Sequence, residues 1–257
     1  MDPWSDVRAV LDDRRDWLAR FVATQGVQTN EVRRSWGLLP AFLLVAGEAG
    51  RPLDLVELGP SAGLNLVWDR YRYRYGDASW GADDSPLVLE GELRRHFPLE
   101  LLRVPAAVHR RRGIDLNPID VTKEDGARLL ECFIWADQTQ RIQRLRRAIE
   151  SLRPDPPELI QGDYVDLLPD VLAERDPEAL TIVFQTASLG YLSDEQRRRF
   201  FHELEAAGGE APLAFLTAAF DEELEGAWPL ELTVWPEGAT RRLAHQDFHG
   251  AWLEWLL

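Results

Sequence analysis

The 257-residue sequence has few of the residues that form covalent or metal cross-links. It contains one cysteine, Cys132, and five histidines. A single cysteine excludes an intrachain disulfide and a zinc site built from several cysteines. The segment 129–135 around it is mostly apolar, which predicts an inert thiol inside a buried helix rather than a nucleophile.

Long apolar runs are also missing from the sequence. No stretch approaches the ~18 apolar residues that suggest a membrane-spanning helix. The first residues lack the basic and apolar regions that form a signal peptide. We therefore expect a cytoplasmic protein that makes no membrane contact.

Positive charge is in deficit, with 29 Lys and Arg against 44 Asp and Glu and a net charge of −15. No net positive field offsets phosphate repulsion, so we expect no nucleic-acid partner. The basic runs at 110–112 and 197–199 stand among acids and are typical of solvated faces. Tryptophan, by contrast, is abundant: there are ten, and we expect several to line a pocket or a partner surface.

The most informative segment that is present spans residues 53–66. A short apolar run contains Glu57 near its end, Gly59 and Gly63 allow a sharp turn, and an apolar-periodic segment follows at once. This order predicts a buried strand, a tight loop and the N-terminus of a helix. Unpaired N–H groups at such a helix start favour a small polar or anionic ligand.

Three interpretations of this segment compete. It resembles the loop of a Rossmann-like methyltransferase, in which the glycines admit the amino-acid end of S-adenosylmethionine. Residues 59–63 also match G-x-S-x-G, the nucleophile elbow of an α/β-hydrolase, with Ser61 as nucleophile. The third interpretation is a strand–turn–helix corner in which glycine only relieves crowding.

The hydrolase interpretation is the least favoured of the three. Asp221 with His245 or His249 would complete a triad after Ser61 in the required chain order. However, such enzymes have several strands before the elbow strand, and only two helical segments precede residue 53 here. A structural role is more typical of histidines near the last strands.

The first fifty residues predict a helical cap before the main domain at 51–257. An amphipathic helix is expected at 4–23. A second helix is expected from about 30 to 47, kinked at Pro40 or split at Gly37. Asn30 is either the N-cap of that helix or a side chain that reaches over the ligand loop.

A β-rich insertion is expected at about 71–108, after the first strand and helix. Residues 71–77 alternate aromatic and basic side chains, which predicts a strand with both faces partly solvated. Further short strands are expected at 86–93 and 103–109. We expect a hairpin packed beside the site.

The remainder alternates strands with helices, which implies a parallel sheet. Strands are expected around 158–161, 180–187 and 212–220, and residues 230–235 and 241–245 predict a closing antiparallel pair. The predicted fold is α/β, a mostly parallel Rossmann-like methyltransferase sheet with an antiparallel C-terminal edge. In such sheets the ligand lies beyond the carboxyl ends of the strands.

One long helix is expected at 122–152. Trp135, Gln138 and Arg141 would then share a face and could line one wall of a pocket. A packed tryptophan beside an exposed, salt-bridged arginine explains the same pattern equally well. The acids at 115 and 120 could hold a metal, but no histidine lies near them, so we expect no metal site.

Several motifs together resemble one bacterial family of unknown function, DUF2332. They lie at residues 28–33, 56–66, 69–71, 113–120, 133–138 and 249–255. The resemblance covers nearly the whole chain from residue 25 onward. It agrees with a Rossmann-like fold that uses S-adenosylmethionine.

The leading hypothesis is a methyltransferase that uses S-adenosylmethionine and acts on a small molecule. The expected cofactor-binding residues are Glu57, Gly59, Ser61, Gly63, Asp115, Asp163 and Tyr164. The expected substrate-side residues are Asn30, Trp135, Gln138, Arg141, Gln185, Ser188 and Tyr191. Methyl transfer depends mainly on proximity and alignment, so no catalytic base is assigned. The alternative is a non-catalytic binding or interaction protein with a degenerate fold of the same kind.

Overall fold

The computed structural model describes residues 3–28, 30–222 and 224–257. Thr29, in the motif at 28–33, lies outside these residues. Across the described ranges, no helix is both long enough and apolar enough to cross a lipid bilayer.

A nine-stranded sheet runs through the molecule. Its five parallel strands are, in spatial order, β7 (Glu158–Gln161), β6 (Val108–Asp115), β1 (Leu53–Leu58), β8 (Leu180–Thr186) and β9 (Leu213–Ala218). Counted along the chain, these strands stand in the order 3-2-1-4-5. Every residue of β1 is buried, as expected for a parallel strand that is covered on both faces.

The sheet continues antiparallel beyond β9. The remaining strands are β10 (Trp228–Trp235), β11 (Ala239–Gln246), β12 (Trp252–Trp255) and β5 (Glu92–Leu93). Strands β9 to β12 pair antiparallel, and β5 pairs parallel with β12. A mostly parallel α/β sheet with an antiparallel C-terminal edge is therefore confirmed.

Helices cover both faces of the sheet. One core contains residues of α3 (Arg34–Ala49) and α5 (Thr139–Leu152), and the other contains residues of α6 (Tyr164–Ala173) and α7 (Asp194–Glu210). Leu53 and Leu55 of β1 join the first core, and Val56 and Leu58 join the second. This division follows from the alternation of side chains along a strand.

The N-terminal segment forms two helices instead of one, α1 (Pro3–Asp13) and α2 (Arg15–Thr24). Neither contains a buried residue. Trp4 and Trp17 are 59% and 53% exposed, whereas Trp36 and Trp68 are fully buried in the core. The apolar stripe of the predicted helix therefore does not pack on the main core.

Helix α3 begins at Arg34, later than predicted, and it passes through Gly37 and Pro40 without a split. A Cβ atom at Gly37 would lie 1.9 Å from Gln246 Oε1. The glycine is therefore explained by close packing against β11 and does not mark a helix end. Arg33 occupies the N-cap position, so the N-cap role considered for Asn30 is wrong.

The insertion contains a second, three-stranded sheet. Its strands are β2 (Arg72–Tyr75), β3 (Ala78–Trp80) and β4 (Val88–Glu90). Tyr71, Tyr73 and Tyr75 are buried, so the prediction of two partly solvated faces is wrong. Stacking supplies the reason, because the Tyr75 ring lies 5.0 Å from Trp36 of α3.

The long helix predicted at 122–152 is interrupted. Helix α4 (Glu124–Cys132) ends early, and residues 133–138 separate it from α5. The N–H groups of Phe133 and Ile134 bond to the carbonyls of Leu130 and Glu131, which closes α4 with tight turns. Cys132 is exposed, contrary to the prediction, because it lies about 200° around the helix from the buried Leu130.

Candidate functional site

The predicted site residues lie mainly at the carboxyl ends of the parallel strands. Glu57 stands near the end of β1, Asp115 at the end of β6 and Gln185 near the end of β8. Strands β6 and β8 flank β1 on opposite sides. The loops that leave these three strands therefore meet at one edge of the sheet, which we call the carboxyl edge.

The loop at 59–63 has the sharp turn that its sequence predicts. Gly59, Ser61 and Gly63 all have positive φ, at 68°, 57° and 74°. A Cβ atom at Gly59 would lie 2.9 Å from Ser188 Cβ, and one at Gly63 would lie 2.8 Å from Pro157 Cγ. Protein atoms, rather than ligand space, therefore explain why both positions require glycine.

No α-helix follows the loop, contrary to the prediction. Residues Leu64–Arg70 form a seven-residue 3-10 helix. Residues 64–68 are all buried. An amphipathic surface helix would instead turn one face toward water. The expected anion site at an α-helix N-terminus is therefore absent from this loop.

Asp115 holds the turn at Ser61 by hydrogen bonds. Its Oδ2 accepts from the Ser61 backbone N–H at 2.7 Å, and its Oδ1 accepts from Asn117 N–H at 2.8 Å. Ile119 N–H donates to the Ser61 carbonyl at 3.0 Å. The predicted carboxylate therefore lies against the predicted loop, and it organises the loop through backbone contacts.

The segment before α3 lies over this loop. Asn30 Nδ2 donates to the Pro60 carbonyl at 3.3 Å, which is the second role considered for Asn30. The Ser61 hydroxyl donates to Gln28 Oε1, and Gln28 Nε2 donates to the Asn117 carbonyl at 2.9 Å. The nucleophile proposed in the hydrolase interpretation therefore hydrogen-bonds to an amide side chain rather than to a histidine.

Glu57 is a buried carboxyl group with a free oxygen. It is 2% exposed, and its Oε1 accepts only a long bond, 3.4 Å, from Asn65 Nδ2. Ser35 Oγ donates to Asn65 Oδ1 at 2.7 Å and so holds that amide in place. Glu57 Oε2 has no hydrogen-bond partner among the described residues. Burial raises the pKa of Glu57 to about 8, so the carboxyl group is mostly protonated at pH 7.

Arg34 lies at the same edge, and sequence reasoning missed it. Its Nε donates to the Phe248 carbonyl at 3.0 Å, and its Nη1 donates to Thr186 Oγ1 at 3.1 Å. The guanidinium carbon lies 4.2 Å from the centre of the Phe248 ring. Burial lowers the pKa of Arg34 to about 10, which leaves it charged at pH 7. Arg34 is the first residue of an apolar helix, and no local signal in the sequence distinguishes it.

The residues expected on one face of a long helix do not share a face. Trp135 is 77% exposed and lies in the break between α4 and α5, and Gln138 is the exposed N-cap residue of α5. Arg141 Nε lies 2.8 Å from Glu31 Oε2, and Arg144 Nη2 lies 3.7 Å from Glu31 Oε1. The segment before α3 is thereby tied to α5 through one buried glutamate.

Four further predicted residues, Asp163, Tyr164, Gln185 and Ser188, are held mainly by structural contacts. Asp163 caps α6 by accepting from Val165 N–H at 2.8 Å, and Tyr164 OH donates to the Ser188 carbonyl at 3.2 Å. Gln185 is fully buried. Its amide oxygen accepts from the Ser188 hydroxyl and Leu189 N–H, and its amide nitrogen donates to Thr217 of β9. Tyr191, by contrast, is 89% exposed.

Two clefts open at the opposite end of the sheet. Their volumes are ≈ 230 and ≈ 400 Å³. The first is lined by residues at the start of β8 and the end of β10, and the second by the turn between β10 and β11. Neither touches a predicted site residue. No group of three or more acids, histidines or cysteines suited to a metal occurs in the described part of the chain.

Comparison with known proteins identifies one family. A family model described as "Uncharacterized protein conserved in bacteria (DUF2332)" matches residues 1–255. The match includes the N-terminal helices, which precede the motifs of the resemblance. A search of curated proteins found no match.

Proposed function

The chain belongs to the DUF2332 family, and from the carboxyl edge of its sheet we propose that it binds S-adenosylmethionine and transfers the methyl group to a small molecule. One observation carries this proposal. Two acids, Glu57 and Asp115, end neighbouring parallel strands on either side of a glycine-containing turn.

The strand order supports a ligand at this position. In doubly wound sheets with the order 3-2-1-4-5, ligands bind outside the carboxyl ends, where the strand order reverses. Here the reversal lies between β1 and β8, next to Glu57 and the 59–63 loop. We therefore include in the proposal that the fold is Rossmann-like.

The chemistry of the two acids fits the cofactor. Asp115 already accepts two backbone N–H groups, but a carboxylate has about four lone-pair sites, so it can also accept from ribose hydroxyls. Glu57 Oε2 has no partner among the described residues. A bound ammonium group would lower the pKa of Glu57, so that the ionised Oε2 accepts from the methionine end. The loop residues Gly59, Ser61 and Gly63 would shape the cofactor-binding wall.

When bound, the cofactor supplies an electrophilic methyl group on a sulfonium centre. The residues of the chain then have two tasks, to fix the cofactor and to hold the acceptor in line with the methyl group. For the second task we propose Asn30, which donates to the loop at Pro60. We also propose Arg141 and Tyr191, which lie close enough to act electrostatically on Arg34. Trp135 does not fit, because its side chain is 77% exposed and forms no packed wall.

A binding protein without catalysis is the second candidate. The packing of Gly59 and Gly63 against Ser188 and Pro157 favours it, because both glycines are explained without a ligand. The capping contact of Asp163 favours it too, since that carboxylate is one of the expected cofactor-binding residues but is used to hold α6.

Calorimetry with S-adenosylmethionine and S-adenosylhomocysteine tests the proposal. We expect micromolar to millimolar binding that Asp115→Ala weakens and that Asp120→Ala, at an exposed acid five residues later, leaves intact. No heat with either compound at millimolar concentration would refute cofactor binding. Binding without methyl transfer across a panel of metabolites would favour the second candidate.

A further inference from the structure

We propose that Arg34 forms a subsite for a carboxylate group at the carboxyl edge. The inference rests on the proposed function in one respect, that the carboxylate belongs to a ligand of the same site. It can be the carboxylate of the cofactor's amino-acid end or that of an acidic methyl acceptor. Nothing in the family description assigns a role to Arg34.

The first supporting observation is a buried donor without an acceptor. Arg34 is 7% exposed, yet its Nη2 has no hydrogen-bond partner among the described residues. A charged donor left unpaired in the interior is costly. A ligand oxygen that accepts from Nη2 would remove this cost.

The surrounding acids do not neutralise Arg34. Glu31 and Glu57 both act on it electrostatically, but neither forms an ion pair with it in the described part of the chain. Glu31 already pairs with Arg141 and Arg144. Glu57 is mostly protonated at pH 7, because burial raises its pKa to about 8. Among the described residues, Arg34 therefore has no carboxylate paired directly with it, although the net charge of the chain is −15.

The guanidinium group is held rigidly in this position. Nε and Nη1 donate to the Phe248 carbonyl and to the Thr186 hydroxyl, and the group stacks on the Phe248 ring. Thr186 is the last residue of β8, so these contacts place Nη2 beside the reversal point of the sheet. A donor fixed in advance loses little entropy when its ligand binds.

The number of free donors favours a carboxylate over a phosphate. Of the three guanidinium nitrogens, only Nη2 lacks an acceptor among the residues that the structure describes. One free nitrogen suits one carboxylate oxygen, whereas a phosphate dianion needs more donors. Glu57 Oε2 has no hydrogen-bond partner among the described residues. Once an ammonium group has displaced its proton, this oxygen accepts from that group beside the carboxylate.

Calorimetry of the full chain tests whether the cofactor supplies the carboxylate. The two ligands are S-adenosylhomocysteine and its analogue without the carboxylate. If the cofactor supplies the carboxylate, the unaltered chain binds S-adenosylhomocysteine about ten- to a hundredfold more tightly than the analogue. Arg34→Gln removes this preference. Arg34→Lys, which keeps the charge but lacks the forked donors, gives an intermediate value and serves if the glutamine variant does not fold.

Arg112→Gln is the matched control. Arg112 is a buried arginine within β6. Its Nη1 and Nη2 already donate to Glu174 and to the Val171 carbonyl. Its loss should lower the Tm and leave the preference for the carboxylate unchanged.

Thermal shift with benzoate and its neutral isostere benzamide tests the other source. If the acceptor supplies the carboxylate, S-adenosylhomocysteine and its analogue bind equally. Benzoate then raises the Tm and benzamide does not, and replacing Arg34 removes this difference. If benzoate raises the Tm in the same way but neither S-adenosylhomocysteine nor its analogue binds, cofactor binding is refuted and the subsite is retained. If replacing Arg34 changes neither preference, the subsite does not exist.

Discussion

The raised pKa of Glu57 makes the stability of the protein depend on pH in a specific way. Burial raises this pKa from the ordinary 4.5 to about 8, so the folded chain holds a proton that the unfolded chain releases above pH 4.5. The free energy of unfolding contributed by this group is therefore fully present below pH 4.5. It is lost as the pH rises toward 8.

The size of the effect follows from the shift. Each pH unit between the two pKa values lowers the free energy of unfolding by about 1.4 kcal/mol. At pH 7 the loss amounts to roughly 3 kcal/mol, an upper value because partial hydration of a buried carboxylate reduces it. Glu57→Gln replaces the protonated acid with a neutral side chain of the same shape. We expect the variant to match the unaltered protein near pH 4.5 and to exceed it by up to roughly 3 kcal/mol at pH 7.

Urea denaturation at half-unit pH steps from 4.5 to 8 measures this difference. Glu90→Gln is the control, since Glu90 is exposed and its replacement should leave the pH dependence unchanged. The reasoning fails if the stabilities of the Glu57→Gln variant and the unaltered protein run parallel across this range. That result would mean that Glu57 is ionised in the folded chain, with its charge satisfied by Arg34 or by water.

Three further outcomes follow from local geometry. Cys132 should react with a thiol reagent in the native state at a rate close to that of the unfolded chain, because it is exposed; strong protection would contradict its placement. Gly59→Ala should lower the free energy of unfolding by about 2 kcal/mol or more, because of its positive φ and the 2.9 Å approach to Ser188 Cβ, and Ser188→Gly should recover part of the loss in urea denaturation. Deleting the first 24 residues should change the Tm by only a few degrees, since α1 and α2 contain no buried residue; a large fall would show an unrecognised contact.

Much of the fold could be predicted because it depends on local pattern. The apolar runs at 53–58 and 180–186 are buried strands, and Ser193 with Gln196 forms the capping box that starts α7. The closing hairpin of β10 and β11 was also visible in alternating side chains. Each of these depends on residues within a few positions of one another.

The errors arose where distant packing overrides local pattern. Residues 71–75 alternate as an exposed strand would, but α3 and the sheet bury the tyrosines. The expected α-helix after Gly63 became a 3-10 helix whose first five residues are all buried. The helix predicted across 133–138 is likewise absent, because α4 ends in tight turns before α5 begins.

Two predicted site residues are in direct contact, and two others have a different role from the one predicted. Asp115 and Ser61 were predicted separately, and the structure joins them at 2.7 Å. Asp163 and Gln185 were chosen for the same reason, their position at strand ends, but their polar atoms are used to hold helix α6 and the loop after β8. Position along a strand therefore predicts where a side chain lies, but not which hydrogen bonds it makes.

The sequence by itself determined the alternation of strands and helices, the edge at which the polar residues gather and the family of the chain. Only the tertiary structure decided that Arg34, from a helix before the first strand, reaches the end of β8 and is held there by Phe248 near the C-terminus. The physical reason is separation: Arg34 and Phe248 are 214 positions apart in the sequence. No local pattern records a contact of that span, and the burial that perturbs both Arg34 and Glu57 exists only once the chain has closed around them.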